Sequence, residues 1–147
     1  MVPPASLVPP VAPRAPPTTV VVHPTSHPSV HRVASLEDLD ERLATATTPT
    51  VVRFYSESCR ACKAGTPAFY RMVSKHTNEV QFLEVPASAA TKAVFQRCGV
   101  TKYPFGQVYE RNASTGEVEM VHEGSLIRNR LSTFEKGLEA QLAPLTA

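Results

Sequence analysis

A strand, a cysteine pair and a helix in close succession constrain this chain more than any other feature. Thr50-Val51-Val52-Arg53-Phe54-Tyr55 is an apolar, β-rich run and reads as a strand buried at the centre of a sheet. Cys59-Arg60-Ala61-Cys62 follows closely, and Lys63 to His76 continues as a helix-like stretch with Pro67 inside it. A proline within a helix kinks it, so one bent helix is expected there. A Cys-x-x-Cys at the start of a helix can close a small disulfide, and the helix N-terminus favours thiolate over thiol. In that setting the pair reads as a redox motif. It lacks the second ligand pair that a structural zinc site needs, so neither a metal nor a cofactor is implied.

The pattern on either side supplies the rest of an α/β sandwich. Val30 and Val33 fit a short edge strand. Ser35 fits an N-cap with Asp38 at the third helical position, and Leu36, Leu39 and Leu43 mark one face of a short helix. Val80 to Val85 reads as a strand and Ala89 to Cys98 as a helix. Phe105 to Tyr109 and Glu117 to Val121 read as strands joined by the turn Arg111 to Gly116. Arg128 to Leu142 reads as a last helix, with Leu131, Phe134, Leu138 and Leu142 on one face and Pro144 ending it. The order is β-α-β-α-β-α-β-β-α: parallel strands joined by helices, then an antiparallel hairpin and a capping helix.

The N-terminal segment has a different composition. Nine of the 14 prolines fall in residues 1–28, and proline fixes φ and removes a backbone donor. Residues 1–29 are therefore expected to be an extended, polyproline-like head, residues 30–142 the folded domain and residues 143–147 a tail. The head suits either an organelle transit peptide or a tether. Only Arg14 and Arg32 of the 15 basic residues lie in residues 1–36, where there is no Asp or Glu. The body is thus close to neutral, which argues against nucleic acid as a partner. No apolar run approaches the length of a transmembrane helix. His23, His27 and His31 recur every four residues, but Pro24 and Pro28 forbid the helix that would gather them around a metal. His76 and His122 read as surface residues. An odd count of three cysteines fits a reducing compartment with one reversible pair better than a secreted disulfide framework.

The element order with Cys-x-x-Cys after the first central strand resembles the thioredoxin family, over about residues 30–142. Pro67 stands five residues after Cys62, where thioredoxins bend the active-site helix. Pro104 in Gly99-Val100-Thr101-Lys102-Tyr103-Pro104 matches the family's cis-proline, and Gly116 and Gly124 match its hairpin glycine and the glycine before the last helix. The resemblance implies a thioredoxin fold. It also implies Cys59 as nucleophile, Cys62 as resolving thiol, and Tyr103, Pro104 and Phe105 as the lip that holds an extended substrate backbone. Phe105 after the proline, and the F-Y-x-x-x-C-x-x-C-K run from Phe54 to Lys63, are most similar to atypical plastid thioredoxins. A chloroplast is the favoured location, with mitochondrion and cytosol left open.

The departures from that pattern bear on chemistry. Ser58 replaces the tryptophan typical before the first cysteine, and Arg60-Ala61 replaces Gly-Pro between the cysteines. Arg53 stands where the family buries an aspartate that helps deprotonate the second cysteine, and a guanidinium is no base, its pKa lying above ~12. Arg60 and Arg53 are expected to stabilise a thiolate, which raises the reduction potential above the roughly −270 mV of thioredoxin. Two functions follow. One is thiol-disulfide exchange with protein disulfides, using a protein reductant or oxidant as its electron partner. The other is a non-catalytic subunit docked into a larger, photosynthetic assembly through residues 1–29. Cys98 is either a small buried apolar residue or a regulatory thiol.

Overall fold

The computed structural model describes residues 27–146. The expectations for the head before His27, including His23, lie outside the described residues. The elements are β1 (Val30–Arg32), α1 (Leu36–Ala44), β2 (Thr50–Tyr55), α2 (Arg60–His76), β3 (Gln81–Pro86), α3 (Lys92–Cys98), β4 (Phe105–Arg111), β5 (Val118–Ser125), a 3-10 turn (Arg128–Arg130) and α4 (Leu131–Thr146).

The strands form one sheet in the order β1-β3-β2-β4-β5. β1 and β2 run parallel to β3, whereas β4 pairs antiparallel with both β2 and β5. β2 is therefore central, and all six of its residues are buried. Side chains alternate along a strand, so neighbouring positions serve opposite faces. Val51, Phe82 and Val108 pack with Phe69, Met72, Val73, Phe134 and Leu138 of α2 and α4. Val52, Phe54, Leu83 and Val85 pack with Leu39 of α1 and Val94 of α3. The result is three layers, with helix pairs covering both faces of the sheet.

Local chemistry sets the element ends. The Asp38 amide donates to Ser35 Oγ at 3.1 Å, so Ser35 caps α1. Gly99 (φ 70°) closes α3 and Gly116 (φ 77°) sits in the β4–β5 turn, both in the left-handed region that glycine enters without steric cost.

Four local expectations need correction. α2 begins at Arg60 rather than Lys63 and runs as one helix through Pro67, which is exposed, to His76. α4 does not stop before Pro144 but continues to Thr146. α3 begins at Lys92 rather than Ala89, since Thr91 is held in the preceding turn by its Oγ1 donating to the Pro86 carbonyl at 2.5 Å.

The fourth concerns the histidines. His76 is 7% exposed. Its Nδ1 lies 3.1 Å from Glu79 Oε1 and its Nε2 3.0 Å from Glu135 Oε2, so it ties α2 to α4. Glu139 completes the one group among the described residues with three candidate metal ligands close together. Lys75 Nζ already stands 2.9 Å from Glu135 Oε2, and the cluster reads as an ion network between helices. His122 is half-buried, its ring 5.2 Å from that of Phe134.

Candidate functional site

The polypeptide leaves the buried end of β2 at Tyr55 and re-enters regular structure at Cys59, the N-cap of α2. The Cys59 amide donates to the Ser56 carbonyl at 3.2 Å and closes a tight connection. Cys59 Sγ accepts a hydrogen bond from the Cys62 amide at 3.1 Å. The sulfur thereby takes the place that a serine or aspartate oxygen fills at an ordinary helix N-cap. Charge appearing on that sulfur would meet an amide and the positive end of the helix.

Both thiols are free. Cys59 is half-buried and Cys62 is buried. Burial is the main reason the Cys62 thiol is pushed up to about 12, with the hydrogen bond to Cys59 adding to it and Arg53 pulling the other way. The pair is thus asymmetric, with one accessible sulfur and one held protonated behind it.

The residues around Pro104 arrive from β4. The Tyr103–Pro104 peptide is cis, and Phe105 pairs with Phe54 at the end of β2 from which the cysteine connection departs. Pro104 is buried and its carbonyl accepts from the Leu126 amide at 3.1 Å. The Leu126 carbonyl in turn comes within 3.0 Å of where a Cβ on Gly65 would stand. The Pro104 segment, Leu126 and the first turns of α2 are therefore wedged together. Tyr103 is 42% exposed, its ring 6.2 Å from that of Phe95, and Lys102 Nζ lies 5.8 Å from the Phe105 ring. Cys59, Cys62, Tyr103, Pro104 and Phe105 gather at one end of the sheet.

Cys98 is not brought there. It ends α3, half-buried, and packs against the apolar layer that includes Tyr109, which pairs with Thr50 at the opposite end of β2. Burial raises its pKa, while Tyr109 and Arg97 oppose the rise. Arg60 is exposed in the first turn of α2. Arg53 lies in the sheet, 3% exposed, with Nη1 donating to Glu84 Oε2 at 2.9 Å.

Sequence reasoning missed Glu84. The available signal was a lone charge within each of two otherwise apolar strands, TVVRFY and QFLEV. Buried charges occur paired, and a parallel register sets these two side by side.

Fold and site define a thioredoxin-fold protein with a Cys-x-x-Cys turn at the N-terminus of its second helix. The thioredoxin family model matches residues 30–133, and the chain belongs to that family. No curated protein matches it in sequence. Among solved structures it is similar to thioredoxin from Trypanosoma brucei brucei, at TM-score 0.64 and 20% identity, covering 83% of this chain and 98% of the other. Chlamydomonas reinhardtii thioredoxin f2 gives TM-score 0.62 and 19% identity over 78% and 97% of the two chains. The short form of thioredoxin f from spinach chloroplast gives 0.60 and 17% over 74% and 92%. Among the described residues no helix is long and apolar enough to cross a membrane.

Proposed function

We propose that this protein exchanges disulfides with protein substrates through Cys59 and Cys62. The observation that carries the reading is the asymmetric pair. An accessible Cys59 sulfur receives the Cys62 amide at 3.1 Å, and the protonated Cys62 thiol waits behind it. Cys59 thiolate attacks one sulfur of a substrate disulfide, forming a mixed disulfide and expelling the other sulfur as a thiolate that takes up a proton. Cys62 then loses its proton and attacks Cys59 Sγ. This forms the Cys59–Cys62 disulfide and releases the substrate dithiol. The substrate gains two electrons and the pair loses them, and a dithiol reductant restores it. With an oxidising partner the same steps run backwards.

Tyr103, Pro104 and Phe105 line the edge against which a substrate backbone would lie. Arg60 at the turn favours the reduced pair and sets a potential above the roughly −270 mV of thioredoxin. Cys98 stands apart from these steps. The plastid location is supported by the F-Y-x-x-x-C-x-x-C-K run and by the composition of the head. Two of the solved structures the fold resembles are thioredoxins f, one described as from spinach chloroplast. A fluorescent fusion of the full chain, scored against plastid and mitochondrial markers, tests that location.

Trapping tests the reaction. Cys62→Ser leaves the mixed disulfide unresolved, so it accumulates dithiothreitol-sensitive adducts with substrate proteins, while Cys59→Ser accumulates none. Equal adducts in both variants would refute the assignment of roles.

A further inference from the structure

Arg53 and Glu84 are direct partners in the parallel register of β2 and β3, and Glu84 is 1% exposed. Taking a charge out of water costs several kcal/mol unless its partners satisfy it, and here they do. Besides Glu84, Arg53 uses Nη2 to donate to Thr66 Oγ1 at 2.6 Å and to the Cys62 carbonyl at 3.3 Å. Its guanidinium lies 4.4 Å from the Tyr55 ring centre and 5.0 Å from that of Phe69. Glu84 Oε2 also accepts from Tyr70 Oη at 3.0 Å, and Oε1 from Arg32 Nη2 at 3.2 Å. Arg32 Nη1 then reaches Glu57 Oε2 at 3.0 Å.

Charges therefore alternate along Glu57, Arg32, Glu84 and Arg53, on three adjacent strands and the connection before α2. Both ends of this series fall on the cysteine turn. Glu57 lies in the connection just before Cys59, and Arg53 holds the carbonyl of Cys62. A buried ion pair placed only for stability has no reason to end on the backbone of the resolving cysteine.

We propose that this series clamps the cysteine turn, that Arg53 controls the reactivity of Cys62, and that Glu84 positions Arg53 and balances its charge. The inference rests on the exchange reading and deepens it. Both are positioning residues, acting on Cys62 through its carbonyl and through the field at its sulfur. Arg53 favours a thiolate at Cys62, and the Glu84 carboxylate holds that effect in check. Removing either charge should then move Cys62 reactivity in opposite directions. A merely structural pair would give damage of one sign.

The test is the pH-dependent rate of iodoacetamide alkylation of Cys62 in the full chain carrying Cys59→Ser and Cys98→Ser. Glu84→Gln keeps an acceptor for Arg53 and strips the charge, and it should speed alkylation about threefold. A tenfold gain in thiolate fraction, offset by the lower nucleophilicity of a more acidic thiol, gives roughly that factor. Arg53→Met should slow alkylation by a similar factor. Arg53→Met leaves a buried carboxylate unpaired, whereas the double variant Arg53→Met/Glu84→Met supplies a well-packed apolar replacement. The double variant removes both charges, so it should alkylate faster than Arg53→Met and close to the parent. Shifts of the same sign in Glu84→Gln and Arg53→Met, or no shift in either, would overturn the proposal, as would a double variant as slow as Arg53→Met. The assay involves no disulfide, so its outcome is separable from whether the pair exchanges at all.

Discussion

Gly65 and Gly116 are glycines for different reasons, and substitution separates them. A Cβ on Gly65 would stand 3.0 Å from the backbone carbonyl of Leu126, whose amide bonds Pro104. Gly65→Ala must push α2 and the Pro104 segment apart, at about 1–3 kcal/mol, the usual range for overpacking. Urea unfolding should show that loss, and exchange with substrate should slow as well. Gly116 has open space around it but φ 77°, so Gly116→Ala costs about 1–2 kcal/mol through the backbone and leaves exchange untouched. Equal effects on exchange would contradict the placement of Gly65 at the site.

Residue identity in the sequence disclosed the cysteines and the proline, because their chemistry and spacing are local. It did not disclose the partner of Arg53 or the burial of His76. Those depend on register between β2 and β3 and on the approach of α4 to α2, neither of which short-range spacing encodes.

Elements are held at their ends by carboxylates whose charge matters. Burial alone would raise the pKa of Asp38, but the Ala34 amide, His31 and Arg42 outweigh it and hold the carboxyl below its usual value of 3.8. Glu135, between α4 and α2, is likewise held down by Lys75 and His76 against the effect of burial. A carboxyl with a depressed folded-state pKa contributes stability in full above its unfolded value and loses it as pH falls through the folded one. Asp38→Asn should therefore lower the urea midpoint at pH 7, and the gap to the parent should shrink by about pH 3. A gap that is constant with pH would contradict it. Ser35→Ala, which removes only the α1 cap, should cost about 1 kcal/mol at both pH values.

The α1 cap was legible because Ser35 and Asp38 sit three apart, at cap spacing. The continuation of α4 past Pro144 was not. Proline removes one helical hydrogen bond without necessarily ending the helix, so its position in the sequence alone does not set the helix end.

For the molecule as a whole, the succession of short strands and helices specified a layered sheet before any contact was known. The β-α-β pattern gives parallel neighbours for β2 and β3. But β4 also follows a helix and runs antiparallel to β2, against the expectation of parallel strands up to the hairpin. The short turn Arg111–Gly116 does join an antiparallel pair. The sheet order places the end of β2 beside the start of β4, and that adjacency joins two distant stretches of sequence into one site. Residues 1–26 lie outside this description, and the fold explains the site without them.

The central claim is that Cys59 and Cys62 form a working, reversible dithiol. Equilibrating the full chain in dithiothreitol redox buffers and trapping free thiols, with Cys59→Ser as the blank, measures it directly. The account predicts a single two-electron transition between about −200 and −270 mV. No reversible transition in the range of working exchange motifs, about −200 to −300 mV, would contradict it. A potential well below that of thioredoxin would overturn the assigned effect of Arg60.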